Sequence, residues 1–119
     1  MSDLTFYAYS KCSTCKKAQR WLDERDVSYT FVDITTAPPP KAILAAIAAS
    51  DDYELKHLYN TSGKAYREGG YSELRKSLSE AAQLKALAGN GRLIKRPILS
   101  DGTRHTVGFK ADVYEATWA

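Results

Sequence analysis

The chain opens on Leu4-Thr-Phe-Tyr-Ala-Tyr9, a run rich in aromatic residues that predicts a strand. Ser10-Lys-Cys-Ser13 breaks the run, and from there the apolar period changes. Cys15, Ala18 and Leu22 fall at i, i+3 and i+7, one stripe of a helix, with Trp21 beside it. Lys16, Lys17, Arg20, Asp23 and Glu24 take the wetter sides. The stripe fades near Asp26, and Tyr29-Thr-Phe-Val-Asp-Ile34 has the β-branched and aromatic enrichment of a second strand. Strand, helix and strand within about thirty residues make a βαβ unit, with parallel strands and a right-handed crossover.

Thr35 to Pro40 is a stop followed by a helix start, because proline suits the first helical turn. Beyond it Ile43, Leu44, Ile47 and Ala48 share a face. A short helix is expected over Glu54 to Tyr59, with loops at Asn60-Thr-Ser-Gly-Lys64 and Glu68-Gly-Gly70. Ser72 to Leu78 and Ser79 to Ala88 read as helices, Ser77-Leu-Ser-Glu80 fits a capping box, and Gly89-Asn-Gly91 is a stop. Leu93-Ile-Lys-Arg-Pro-Ile-Leu99 reads as a strand interrupted by Pro97. Asp101-Gly102 signals a hairpin, with a return strand over Arg104 to Val107. Gly108 leads into a last helix through Val113, Tyr114 and Trp118. The expected architecture is α/β: a four-stranded mixed sheet, βαβ then ββα, with a helical insertion at about 38–90 in a single domain of 119 residues.

Composition adds exclusions. With 44% hydrophobic and 26% charged residues, the chain has an ordinary globular make-up, which sets aside disorder and coiled-coil readings. No run approaches the roughly 18 apolar residues of a membrane span. The start of the chain lacks the features of a secretory signal, so a cytoplasmic protein is expected. The net charge of +3 is mild. Its one local cluster, Lys11, Lys16, Lys17 and Arg20, surrounds the two cysteines, so direct nucleic-acid binding is not expected.

Those cysteines carry the candidate chemistry. Purely structural disulfides are rare in a reducing compartment, which leaves catalysis, redox sensing or metal binding. A spacing of three in the first helical turn puts the two Cα atoms roughly 5–6 Å apart, within disulfide range. Cys12 falls where free N–H groups and the helix dipole favour an anion, so it is the expected thiolate nucleophile. Cys15 lies on the apolar stripe and is the expected resolving thiol. Lys16 and Lys17 are unfavourable so close to a helix N-terminus; they suit either a thiolate with an anionic partner or a merely solvated face. Cys-x-x-Cys is also half a zinc site, for which His57 and His105 would have to supply the rest, and two ordinary core cysteines remain a further reading. Pro97 inside a strand forfeits a ladder hydrogen bond; the sequence alone favours a trans proline on an edge strand.

Lys11-Cys-Ser-Thr-Cys-Lys-Lys-Ala18, Asn60-Thr-Ser-Gly-Lys64 with Tyr66-Arg-Glu68, Leu93-Ile-Lys-Arg-Pro-Ile98 and Val107-Gly-Phe-Lys110 resemble the arsenate reductase/Spx family over nearly the whole chain, in family order. The resemblance implies a thioredoxin/glutaredoxin-like fold and a cis Arg96-Pro97 peptide. It also implies that Arg96 joins Cys12 and Cys15 as a catalytic residue, with Lys11, Lys16 and Pro97 as contacts for glutathione or a thiol partner. No tightly bound cofactor and no metal are expected; glutathione, thioredoxin or glutaredoxin is the expected electron donor, and a monomer is expected. The family's arsenate reductases use several arginines. This chain has Asn60 near the place of one and Gly108-Phe109 near another, which weakens arsenate reduction. The Spx branch has the Cys-x-x-Cys and acts on transcription through RNA polymerase, but its members continue into a basic segment, whereas this sequence stops at Trp118-Ala119. The chain is most similar to short Spx-like or YffB-like members. A thiol–disulfide oxidoreductase is the first expectation, an arsenate reductase the second and a redox-sensing regulator the third.

Overall fold

A computed structural model describes residues 4–119. In chain order the elements are β1 (Thr5–Ala8), α1 (Ser13–Glu24), β2 (Thr30–Asp33), α2 (Lys41–Ala49), α3 (Lys64–Glu68), α4 (Tyr71–Ser77), α5 (Glu80–Ala88), β3 (Ile98–Ser100), β4 (His105–Val107) and α6 (Ala111–Trp118). Short 3-10 turns at Leu55–Leu58 and Gly91–Leu93 complete the set. The chain divides into two compact units, one running up to Asp33 and resuming at Arg96–Ala119, the other Ile34–Lys95.

The first unit holds the sheet, in the order β2-β1-β3-β4. β1 runs parallel to β2 and antiparallel to β3, and β4 returns antiparallel to β3. The mixed α/β architecture is the expected one. Alternation along β1 buries Phe6 and Ala8, and α1 covers that face with Cys15, Ala18, Trp21 and Leu22, the stripe read from the sequence. Leu99, Tyr114 and Trp118 close the same core. α1 ends as the sequence suggests: Asp26 takes a left-handed φ of 54°, while Asp26 N–H bonds to the Asp23 carbonyl and Val27 N–H to that of Leu22. This is a Schellman ending with aspartate where glycine is usual.

α6 is tied to the β3–β4 hairpin. Trp118 Nε1 donates to Thr106 Oγ1 at 3.1 Å, and the Arg104 guanidinium lies 5.0 Å from the Trp118 ring centre and donates to the Thr117 carbonyl at 2.7 Å. Arg25 joins the helices, sitting 4.2 Å over Trp21 and pairing with Glu115 at 3.3 Å.

The second unit is built from α2 to α5. Leu44 and Ile47 of α2 and Leu84 and Leu87 of α5 are buried, and the two helices pack together. Tyr59, Tyr66 and Tyr71 form an aromatic group with ring centres 5.7–6.3 Å apart. Gly91 is a close approach: a Cβ there would come within 1.6 Å of the Ile34 carbonyl oxygen.

Four sequence expectations change. Ser77 does not cap α5; its hydroxyl bonds back to the Leu74 carbonyl at the end of α4, and Ser79 accepts from Ala82 N–H instead. Lys64, read as the end of a loop, starts the short helix α3. The strand expected over 93–99 begins only at Ile98, because Gly91–Leu93 tightens into a 3-10 turn and Ile94 makes a single bridge to Tyr59. Pro97 precedes an interior strand, not an edge strand, and Arg96-Pro97 is cis, as the family resemblance implied. Among the described residues no helix is long and apolar enough to cross a membrane.

Candidate active site

All three residues expected to act, Cys12, Cys15 and Arg96, lie in the unit that contains the sheet. β1 delivers the chain to Tyr9, whose carbonyl accepts the Cys12 N–H at 3.1 Å and so closes the turn into α1. Cys12 is the residue that caps the helix. Its backbone is extended (φ −91°, ψ 120°), its carbonyl accepts Lys16 N–H at 3.0 Å, and its sulfur accepts Cys15 N–H at 3.3 Å. A sulfur at this position satisfies one of the free donors of the first turn. Cys12 is half-buried and Cys15 buried, both as free thiols.

Cys15 is held in its protonated form. Burial pushes its thiol up to about 12, and its hydrogen bond to the Cys12 sulfur acts in the same direction; a hydrogen bond from the Tyr9 backbone and the charge of Arg96 oppose them. The two sulfurs therefore differ in exposure and in hydrogen bonding, although they stand one turn apart on the same helix.

Arg96 comes from the segment that leads into β3. Tyr7 pairs with Ile98, the last rung of the β1–β3 ladder, and Tyr9 and Arg96 each lie two residues beyond that rung. The Arg96 guanidinium lies 5.2 Å from the Tyr9 ring centre. Pro97 is buried beside it, its carbonyl taken by the Gly108 N–H at 2.8 Å, with Gly108 at a positive φ of 76°. Lys11 and Lys16 are exposed, and neither forms an ion pair with a described residue. Lys16 instead borders a shallow polar groove along α1 with Gln19, Arg20, Asp23 and Glu24.

The histidines required by the zinc reading are engaged elsewhere. His57 Nδ1 accepts Glu54 N–H at 2.9 Å, and His105 Nδ1 is 2.8 Å from Ser100 Oγ. Among the described residues no three His, Cys, Asp or Glu side chains gather as a metal site. Phe109 packs edge-on against Tyr114 at 4.7 Å, and Asn60 sits in a loop with its N–H on the Leu93 carbonyl. Sequence reasoning missed Tyr9. It stood there only as the end of a strand, and the signal available was an aromatic residue directly ahead of the cysteine turn.

A βαβ-ββα sheet with a cysteine pair at the start of its first helix and a cis proline ahead of its third strand defines a thioredoxin-like protein. Within that class, the ArsC family model matches residues 7–117, and the chain belongs to the ArsC family. It is 46% identical over 116 residues to the uncharacterized protein YusI of Bacillus subtilis, covering 98% of each chain. It is 27% identical over 113 residues to the global transcriptional regulator Spx of Streptococcus mutans, covering 95% of this chain and 81% of that one. A crystal structure of a Bacteroides fragilis protein related to the ArsC family superposes with a TM-score of 0.89 at 35% identity, over 96% of both chains.

Proposed function

We propose that this protein is a thiol–disulfide oxidoreductase in which Cys12 is the nucleophile and Cys15 the resolving thiol. The Cys12 thiolate attacks one sulfur of a substrate disulfide, forming a mixed disulfide and expelling the other half as a thiolate, which takes up a proton. Cys15 gives up its proton and attacks the Cys12 sulfur, forming the Cys12–Cys15 disulfide and releasing the second half of the substrate. The substrate gains two electrons and the dithiol loses two. An external thiol, glutathione or a thioredoxin or glutaredoxin dithiol, then restores the pair in the reducing cytoplasm. The observation that carries this reading is the asymmetry of the pair: Cys12 is a half-buried cap accepting an N–H, while Cys15 is a buried thiol held protonated. Arg96 contributes a permanent cation beside the pair, and Lys11 and Lys16 add positive charge that suits an anionic thiol such as glutathione.

Reduction of a glutathione mixed disulfide, coupled to consumption of glutathione, tests the reading; no turnover with glutathione, glutaredoxin or thioredoxin as donor overturns it. Arsenate reduction is the second reading. Membership of the ArsC family and Arg96 support it, and Phe109 and Asn60 count against it because neither offers the forked donors that hold a doubly charged oxyanion. A regulatory role through RNA polymerase is the third, supported by the 27% identity to the regulator Spx of S. mutans. Co-purification with polymerase without turnover would favour it.

A further inference from the structure

We infer that Tyr9 is the positioning residue of this site: its ring carries the Arg96 guanidinium beside the cysteine pair and so sets how strongly that cation acts on the reacting sulfur. The inference rests on the reading of Cys12, Cys15 and Arg96 as one redox site.

Arginine has a long, freely rotating side chain, and a charge at its end acts at a fixed place only if something holds it there. No carboxylate among the described residues pairs with Arg96; its guanidinium carbon lies 5.2 Å from the Tyr9 ring centre. That is within the range in which a cation is drawn to an aromatic face. The two residues lie two positions beyond the last paired rung, Tyr7 with Ile98, so the antiparallel pairing of β1 and β3 brings their segments side by side.

Tyr9 is also fixed to both cysteines through its backbone. Its carbonyl accepts the Cys12 N–H at 3.1 Å, and a hydrogen bond joins its backbone to the Cys15 sulfur. The ring that bears the cation therefore moves with the turn that bears the thiols. Tyr9 couples strand pairing, cysteine turn and cation into one unit, and it favours partners that bring negative charge to Cys12.

The test compares alkylation of Cys12 in the Cys15→Ser background by iodoacetate, which is anionic, and by iodoacetamide, which is neutral. Both undergo the same displacement, so the ratio of their rates reports the positive field at the sulfur and not its general reactivity. Arg96→Ala should lower the ratio about fivefold. Tyr9→Leu should lower it to the same level, Tyr9→Phe should retain it because the ring remains, and Tyr9→Leu combined with Arg96→Ala should fall no further. A ratio unmoved by Arg96→Ala overturns Arg96 as part of the redox site. A ratio that falls with Arg96→Ala but not with Tyr9→Leu, or falls as far with Tyr9→Phe, overturns the role of the Tyr9 ring alone. A measurement on the unaltered chain does not depend on how the variants fold. The Arg96 side-chain protons should show the upfield NMR shift of a group over an aromatic face, and its absence overturns the inference.

Discussion

The Cys12 sulfur accepts the backbone N–H of Cys15 at 3.3 Å while the Cys15 thiol is itself hydrogen-bonded to that sulfur, so the two residues meet through both backbone and side chain. Burial first, and the thiol's hydrogen bond to Cys12 second, keep the Cys15 proton in place. In the proposed reaction this arrangement orders the two steps: Cys12 attacks first, and Cys15 follows once Cys12 is held in a mixed disulfide.

That ordering predicts unlike phenotypes for two similar substitutions. Cys12→Ser should abolish disulfide reduction, and Cys15→Ser should react once and accumulate a mixed disulfide at Cys12. Mass spectrometry after exposure to oxidised glutathione reads both. A chain retaining only Cys15 that alkylates faster near pH 7 than one retaining only Cys12 would reverse the assignment.

Arsenate should be a poor substrate. Phe109 packs its ring against Tyr114 and offers no guanidinium at that position. Arsenite formation with glutathione and glutaredoxin should be slow beside reduction of a mixed disulfide by the same preparation; efficient arsenate turnover would promote the second reading.

Gly91→Ala should destabilise the protein by about 2–3 kcal/mol, because the added methyl would lie 1.6 Å from a backbone oxygen that can move only with the chain around Ile34. Urea unfolding measures it as a lower midpoint. Gly70, where an added Cβ meets nothing within 4 Å, has a left-handed φ of 65°, so Gly70→Ala should cost less than Gly91→Ala and Gly70→Asn little.

His105 should make stability fall with acidity. Burial lowers its imidazole below the usual value, with the charge of Asp101 opposing. Ser100 Oγ accepts Gly102 N–H and so turns its hydroxyl toward His105 Nδ1, an arrangement that suits the neutral ring. The unfolded chain then binds a proton more readily than the folded one. The contribution is complete above the unfolded value of about 6.5 and is lost as pH falls through the lowered folded value. Urea midpoints taken from about pH 7.5 to about pH 5 should decline, and His105→Gln should flatten that part of the decline. An unchanged slope would count against the buried neutral ring.

The elements legible in the residues are those whose causes are local. The stripe of Cys15, Ala18, Trp21 and Leu22 announces α1 because a helix repeats over neighbouring residues, and all four are buried. The cap at Cys12 follows from the same locality: the residue before a helix faces the donors of its first turn, whatever the rest of the chain does. Ser77 and Ser79 show where this reasoning stops. Both suit a cap, and the choice between them depends on where α4 ends, which packing decides. Leu93 to Leu99 likewise has the composition of one strand, but the close approach of Gly91 to Ile34 and the bridge from Ile94 to Tyr59 leave only Ile98 onward for the sheet. The meeting of Tyr9 with Arg96 is the clearest case. Each is unremarkable in its own segment, and only the antiparallel pairing of β1 with β3 brings a ring and a guanidinium together, because strand pairing joins residues that no local period relates.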